Sequence, residues 1–262
     1  MRGLYAIYRK ELGHYFVSPV AYVVVGVFLA LCGFFFERAL VFYIENSISR
    51  EIQAAQYGMP SDIDVPSQVL RSFFGLVSSL MLFITPMLTM GVYAEERKRG
   101  TMELLMTSPI NEVQIVLGKY LASLTLYAIM LLPTAGYLAF LYRHSDPRPP
   151  WGLVLAGYAG VLLVAAGLLA LGSFISSLTE NQIIAAVLTS GAFLGLWVLD
   201  LAARGASTVT AEVLQYLSVT DHYDDFARGV IDTSSVIYYV SLTVLFLFLT
   251  VRSIDSLRWR RA

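Results

Sequence analysis

Six stretches of this chain, residues 17–36, 73–94, 120–142, 151–178, 182–199 and 234–251, are apolar and contain no Asp, Glu, Lys or Arg. A helix needs about 20 apolar residues to cross roughly 30 Å of hydrocarbon, so each stretch is long enough, or nearly so, to span a bilayer. A soluble domain has no use for six such runs. The 57% apolar content and mean hydropathy of +0.66 likewise exceed the soluble norm of about 45–50% apolar. The expected architecture is an all-α integral membrane protein with six transmembrane helices in a single domain covering residues 1–262.

An even number of spans puts both termini on one side, and Lys and Arg are retained on the cytoplasmic face. With the termini inside, 11 basic residues fall in inner segments and 7 in outer ones, while 12 of the 19 acids fall outside. Both termini are therefore expected in the cytoplasm. No small-x-small site follows the first run, which reads as a permanent anchor and not a cleaved signal. Cys32, the only cysteine, lies inside that run, which excludes disulfides within the chain and thiolate metal clusters. A net charge of −1 with dispersed basic residues gives no nucleic-acid footprint.

The segments between the runs carry their own patterns. In residues 1–17, Leu4, Ile7, Tyr8, Leu12 and Tyr15 recur at three- and four-residue spacing, with Arg9, Lys10 and His14 largely off that stripe. This predicts an amphipathic helix on the inner membrane surface, ended by Ser18-Pro19. The outer segment 37–72 is expected to hold short helices and a turn, interrupted at Gly58, Pro60 and Pro66. The links at 143–150 and 179–181 are short, so they join antiparallel neighbours. Residues 202–233 read as two short amphipathic helices dipping into the outer leaflet. Gly157, Gly160, Gly167 and Gly172 thin the fourth span, and they and the Gly191–Gly195 pair allow close helix approach within or between subunits, with packing within the chain the preferred reading. Pro86 and Pro133 predict kinks in spans two and three.

Ion-coupled carriers and proton pumps need an ionisable group at depth, and all six runs lack one. His14, His144 and His222 are scattered, so paired ligands for haem or metal are missing, as are H-E-x-x-H and G-x-S-x-G sequences. Gly118-Lys119 looks like the tail of a phosphate-binding loop, but Val113 and Tyr120 stand where that loop requires Gly and Ser or Thr. No catalytic residue, metal or bound cofactor is expected on this chain.

The remaining feature is the segment 95–112 between spans two and three. Glu95, Glu96, Arg97, Lys98 and Arg99 form a charged run, Gly100 breaks it, and Thr101 can cap a new helix whose N-terminus Glu103 favours. Met102, Leu105 and Met106 then share one apolar face, and Ser108-Pro109 stops the helix and starts the third span. A short helix across the inner ends of two spans, with a charged approach and an outward apolar knob, is a rigid joint. Such a joint transmits force to or from something outside the membrane.

These residues, with Gly118-Lys119-Tyr120-Leu121, resemble the signature of the ABC-2 permeases, the membrane subunits of type-2 ABC exporters. The branch most similar serves gliding motility and nitrous-oxide reductase maturation. Further matches are Arg9-Lys10-Glu11-Leu12 with Ser18-Pro19, the stretch 176–182 containing Glu180 and Asn181, and 222–232 containing His222, Tyr223, Phe226 and Gly229. The resemblance implies a coupling helix at the joint, seated with Glu180 and Asn181 against a separate ATP-binding subunit. It also implies an interfacial helix at Arg9, Lys10 and Glu11, and a re-entrant outer lid at 202–233.

The reading is thus a bacterial cytoplasmic-membrane exporter permease, paired with a second permease chain, its own copy or a close relative, and with two ATP-binding cassette ATPase subunits. ATP and Mg²⁺ would sit on those partners, membrane lipid would surround the spans, and an extracytoplasmic accessory protein could take the outer end. A membrane enzyme, an ion-coupled carrier and a purely structural subunit are the alternatives. The sequence names no cargo.

Overall fold

The computed structural model describes residues 2–58, 64–107, 110–204, 216 and 218–259, and every regular element among them is helical. Helix α1 (Arg2–Val17) leads into α2 (Pro19–Tyr57), and α3 is Val65–Thr89. The short helices α4 (Ala94–Lys98) and α5 (Thr101–Thr107) form the joint. Next come α6 (Glu112–Leu131) and α7 (Ala135–His144), one rod interrupted by a 3₁₀ turn at Leu132–Thr134, where Pro133 sits. Then follow α8 (Trp151–Leu178), α9 (Gln182–Arg204), α10 (Val219–Ala227) and α11 (Thr233–Trp259).

Five helical segments among the described residues are long and apolar enough to cross a membrane, starting at Pro19, Val65, Glu112, Trp151 and Thr233, and Gln182–Val198 is a shorter apolar helix. The chain is a multi-pass membrane protein. Its spans differ from the uncharged runs mainly at their ends. The fourth coincides with its run, 151–178, but the first does not stop at Phe36: α2 continues through Glu37 and Arg38, an ion pair at 2.8 Å, to Tyr57. A helix of 39 residues is about 58 Å long, nearly twice the hydrocarbon thickness. The expectation of short helices in 37–72 is therefore corrected. No breaker stands between Glu37 and Gly58, which ends α2 at φ 66° with its N–H donating to the Ala54 carbonyl. Pro66 opens α3 instead of interrupting a loop, and the Asp64 carboxylate caps that helix through Ser67 N.

The third span is also longer than its run. It starts at Glu112, where Asn111 accepts from Val113 N, so the cap is Asn111 and the start is not Pro109, which lies outside the described residues. This brings Lys119 inside a membrane-length helix. In α3, Pro86 lies one turn before the helix ends at Thr89.

Helix α8 is the hub. Water-driven burial does not hold helices together within lipid, so close backbone approach must, and the glycines of α8 provide it. A Cβ at Gly157 would lie 2.7 Å from Phe74 Cγ of α3, at Gly160 2.5 Å from Phe226 Cβ of α10, and at Gly167 2.8 Å from Leu242 Cδ2 of α11. Gly172 faces Thr89 at the end of α3. Gly191 and Gly195 behave differently: nothing approaches within 4 Å of either Cβ position. The expected packing of that pair within the chain is corrected, because the inner face of α9 is formed by Ala185, Thr189 and Phe193.

Candidate functional site

The joint begins where α3 ends. Four residues of turn separate Thr89 from Ala94, and their exposed backbone groups need partners. Ser176 of α8 supplies them, its Oγ accepting from Tyr93 N (3.1 Å) and Ala94 N (3.2 Å) and donating to the Met90 carbonyl (3.0 Å). Arg97 of α4 reaches the same corner, donating to the Ser177 carbonyl at 2.7 Å and pairing with Glu180 at 3.1 Å. Asn181, expected at a partner contact, caps α9 through Ile183 N and stays exposed. The 178–181 corner and the joint are therefore one piece.

Helix α1 closes the other side. Gly3 meets Ile110 and Gln114, Ile7 fits against Gly118, and Tyr15 hydrogen-bonds Ser123 at 3.0 Å, so α1 lies alongside the first turns of α6. The predicted stripe Leu4, Ile7, Tyr8, Leu12 and Tyr15 is the inward side, and Arg9 is exposed. Burial pushes the Tyr15 phenol up to about 12, and the nearby Glu11 charge adds to the rise.

Glu11 lies on that inward side too, four residues from both Ile7 and Tyr15. It meets Lys119, whose side chain is 2% exposed, at 3.1 Å. Glu96 of α4 meets the same ammonium at 2.9 Å, and the Val92 carbonyl takes its third hydrogen bond at 3.0 Å. Lys119 Nζ also lies 5.5 Å from the centre of the Tyr93 ring. Lys10 approaches Glu96 (3.6 Å) and Glu11 (3.4 Å) from the solvent side. One buried cation thus ties α1, the α3–α4 turn, α4 and α6 together. The sequence reading missed it, because an apolar run starting at Tyr120 left Lys119 outside the span. The available signal was Glu11, a carboxylate within an apolar stripe, which requires a buried counter-charge.

The apolar face of α5 also needs correction. Met102 is buried and Leu105 half-buried against Val92, Tyr93, Val116 and Ile254, so they anchor α5 to the bundle instead of forming an outward knob. The side chain of Met106 lies outside those described. Thr101 is the first helical residue, not a cap, and its hydroxyl donates to the Glu96 carbonyl at 3.3 Å. Gly100 adopts φ 70°, a turn that Gly makes without strain. Glu95 pairs with Arg99, and the outward face consists of Lys98, Arg99, Gly100, Thr101, Glu103 and Thr107.

At the far end of the bundle α10 is amphipathic as expected, with Val219, His222, Tyr223 and Phe226 buried on one side. His222 stacks on Tyr238 at 4.0 Å and bonds the Ser218 carbonyl through Nδ1 at 2.9 Å, a packing role. Phe226 fills the space above Gly160, and Gly229, at φ 85°, lies against Leu153. The other helix expected in the outer pair lies largely outside the described residues.

A bundle of several membrane-length helices, with an ionic network gathered on a short joint between two of them, has the architecture of a multi-pass membrane protein. A model described as ABC-2 family transporter protein matches residues 37–251, most of the chain, and the chain belongs to that family. No curated protein gives a significant match. Membership makes the chain a membrane protein of a transporter family.

Proposed function

We propose that this chain is the permease of an ATP-driven ABC-2 exporter in a bacterial cytoplasmic membrane, working as a dimer with two ATP-binding subunits. The joint faces the cytoplasm with both termini, and Gln182–Val198 serves as the sixth span. The observation that carries the reading is the joint itself, fixed to α1, α6 and α8 by Lys119, Arg97 and Ser176 while one polar face stays exposed. Closure of the ATP-binding subunits pushes on Lys98, Arg99, Thr101 and Glu103, and the anchored joint passes the displacement to α3, α6 and α8. Helix α10 (Val219–Ala227) closes the outer end of the path.

The test is a pair of substitutions on that face, Lys98→Glu with Thr101→Trp, neither in a buried contact. The permease is expected to purify as well as wild type, while its affinity for the ATP-binding subunit falls by about tenfold or more. Wild-type complex formation and wild-type transport per ATP would place the docking surface elsewhere.

The dimer is assigned to α9. Ile184, Val187, Leu188, Gly191, Leu194, Gly195 and Val198 form a continuous exposed face, and a glycine pair four apart permits close helix contact in lipid. Gly191→Leu is expected to leave the protomer folded, since nothing lies within 4 Å of the Cβ position, and to shift the species seen by crosslinking from dimer to monomer. An unchanged dimer would move the interface to another helix.

One observation favours a second reading, in which the cycle moves an extracytoplasmic partner and exports nothing, as the gliding-motility and nitrous-oxide branch suggests. Half of α2 stands beyond the hydrocarbon and carries exposed Ile44, Ile48 and Ile52 at helical spacing. Deleting 45–57 with the facing turns of α3 separates the readings by whether ATP-driven export survives.

A further inference from the structure

Between the outer halves of α3, α8, α9 and α10 lies a cavity of about 510 Å³, a volume suited to a small ligand. Its lining divides into two chemical zones. Arg71 and Arg228, both exposed, stand at its mouth with Ser72 and Thr220. Neither arginine is in an ion pair among the described residues. Asp224 also lines the mouth, so the described lining holds two arginines and one aspartate. The floor is Leu82, Val164, Leu168, Phe193 and Leu196, of which Val164, Leu168 and Phe193 are fully buried. Trp197 stands at the edge, 43% exposed.

The two zones lie at the depths an amphipath requires. Arg71 precedes the apolar run of α3, which starts at Phe73, by two residues, at the hydrocarbon boundary. Leu82 is 11 residues further on, about 16 Å at 1.5 Å per residue, or roughly half the 30 Å of hydrocarbon. The cavity thus extends through one leaflet, with guanidinium groups at headgroup level and hydrocarbon-lined walls below. Guanidinium recognises phosphate and carboxylate through paired N–H donors.

We propose that this cavity is a binding site for an anionic amphipath, a phosphate on a single or paired hydrocarbon chain, held from the outer leaflet. It deepens the exporter reading by naming a ligand class, but binding does not require the ATP-binding subunits, so the two stand or fall separately. The ligand is either a resident phospholipid or a travelling cargo of the same chemistry.

Trp197 supplies the reporter. In a Trp151→Phe, Trp259→Phe background, the full chain is reconstituted in phosphatidylcholine nanodiscs and titrated with phosphatidate brominated on its chains. Quenching of Trp197 is expected at roughly tenfold lower mole fraction than with equally brominated phosphatidylcholine. Arg71→Gln with Arg228→Gln should abolish that preference, and Ser78→Phe, which fills the cavity without adding a second fluorophore, should abolish the quenching by phosphatidate beyond the bulk level. Inorganic phosphate should not compete, whereas dodecyl phosphate should. With the ATP-binding subunit and ATP added, persistent quenching assigns a resident lipid and its loss a travelling one, both within the proposal. Equal quenching by the two lipids, a preference that survives loss of both arginines, or competition by inorganic phosphate as strong as by dodecyl phosphate overturns it.

Discussion

Lys119→Met is expected to be the most damaging single substitution at the joint. The ammonium is almost fully buried and satisfies Glu11, Glu96 and the Val92 carbonyl at once. Removing it leaves two carboxylates facing each other without a buried counter-charge, a change that costs about 3–5 kcal/mol in buried pairs. The lower figure applies here, because Glu11 and Glu96 keep 14% and 16% of their side-chain exposure and border a cavity of about 430 Å³. Thermal unfolding of the purified chain should show a clear drop in midpoint. Adding Glu11→Gln and Glu96→Gln to Lys119→Met should recover most of it, since uncharged groups no longer need the ammonium. A single variant as stable as wild type, or a triple variant no better than the single, would show that the three charges do not form one network.

How far the sequence reveals this protein depends on whether a local signal or a distant partner sets each feature. The fourth span was legible to the residue, since Pro150 and Thr179 bound an uninterrupted apolar run and both flanking links are short. The end of α2 was legible only as a break at Gly58. Treating the charge at Glu37 as the end of the helix hid its continuation, because a membrane-length run defines a span and not the helix that contains it. The joint was legible as a break followed by a short helix, since Gly100 is a local signal. Its orientation was not, because an apolar face at Met102 and Leu105 looks the same whether it meets another protein or its own bundle. Tyr93, Val116 and Ile254 decide that, and they come from three other parts of the chain. Lys119 was hidden for the same reason, as its two acids lie 108 and 23 residues away.

Gly172→Ala is expected to disable the joint from inside the bundle. A methyl group there would meet the Thr89 hydroxyl and lie 2.9 Å from Thr89 Cβ and 3.0 Å from its Cγ2. Thr89 cannot readily turn away, being fully buried with its hydroxyl donated to the Thr85 carbonyl at 2.9 Å. The strain must then separate the end of α3 from α8. Ser176 lies one turn further along α8, and its bonds to Met90, Tyr93 and Ala94 are the first contacts such a separation opens. Overpacking typically costs about 1–3 kcal/mol, and each lost interhelical hydrogen bond in a membrane protein adds about 0.6 kcal/mol. The control is Gly26→Ala, a glycine inside α2 with no atom within 4 Å of its Cβ position. Unfolding midpoints measured on the two variants in the same detergent should separate them by several degrees, with Gly172→Ala also exposing Arg97 and Lys98 to trypsin. Equal midpoints and an equally resistant joint would mean that α3 and α8 can slide apart without loss, and a joint that loose could not carry a stroke into the membrane.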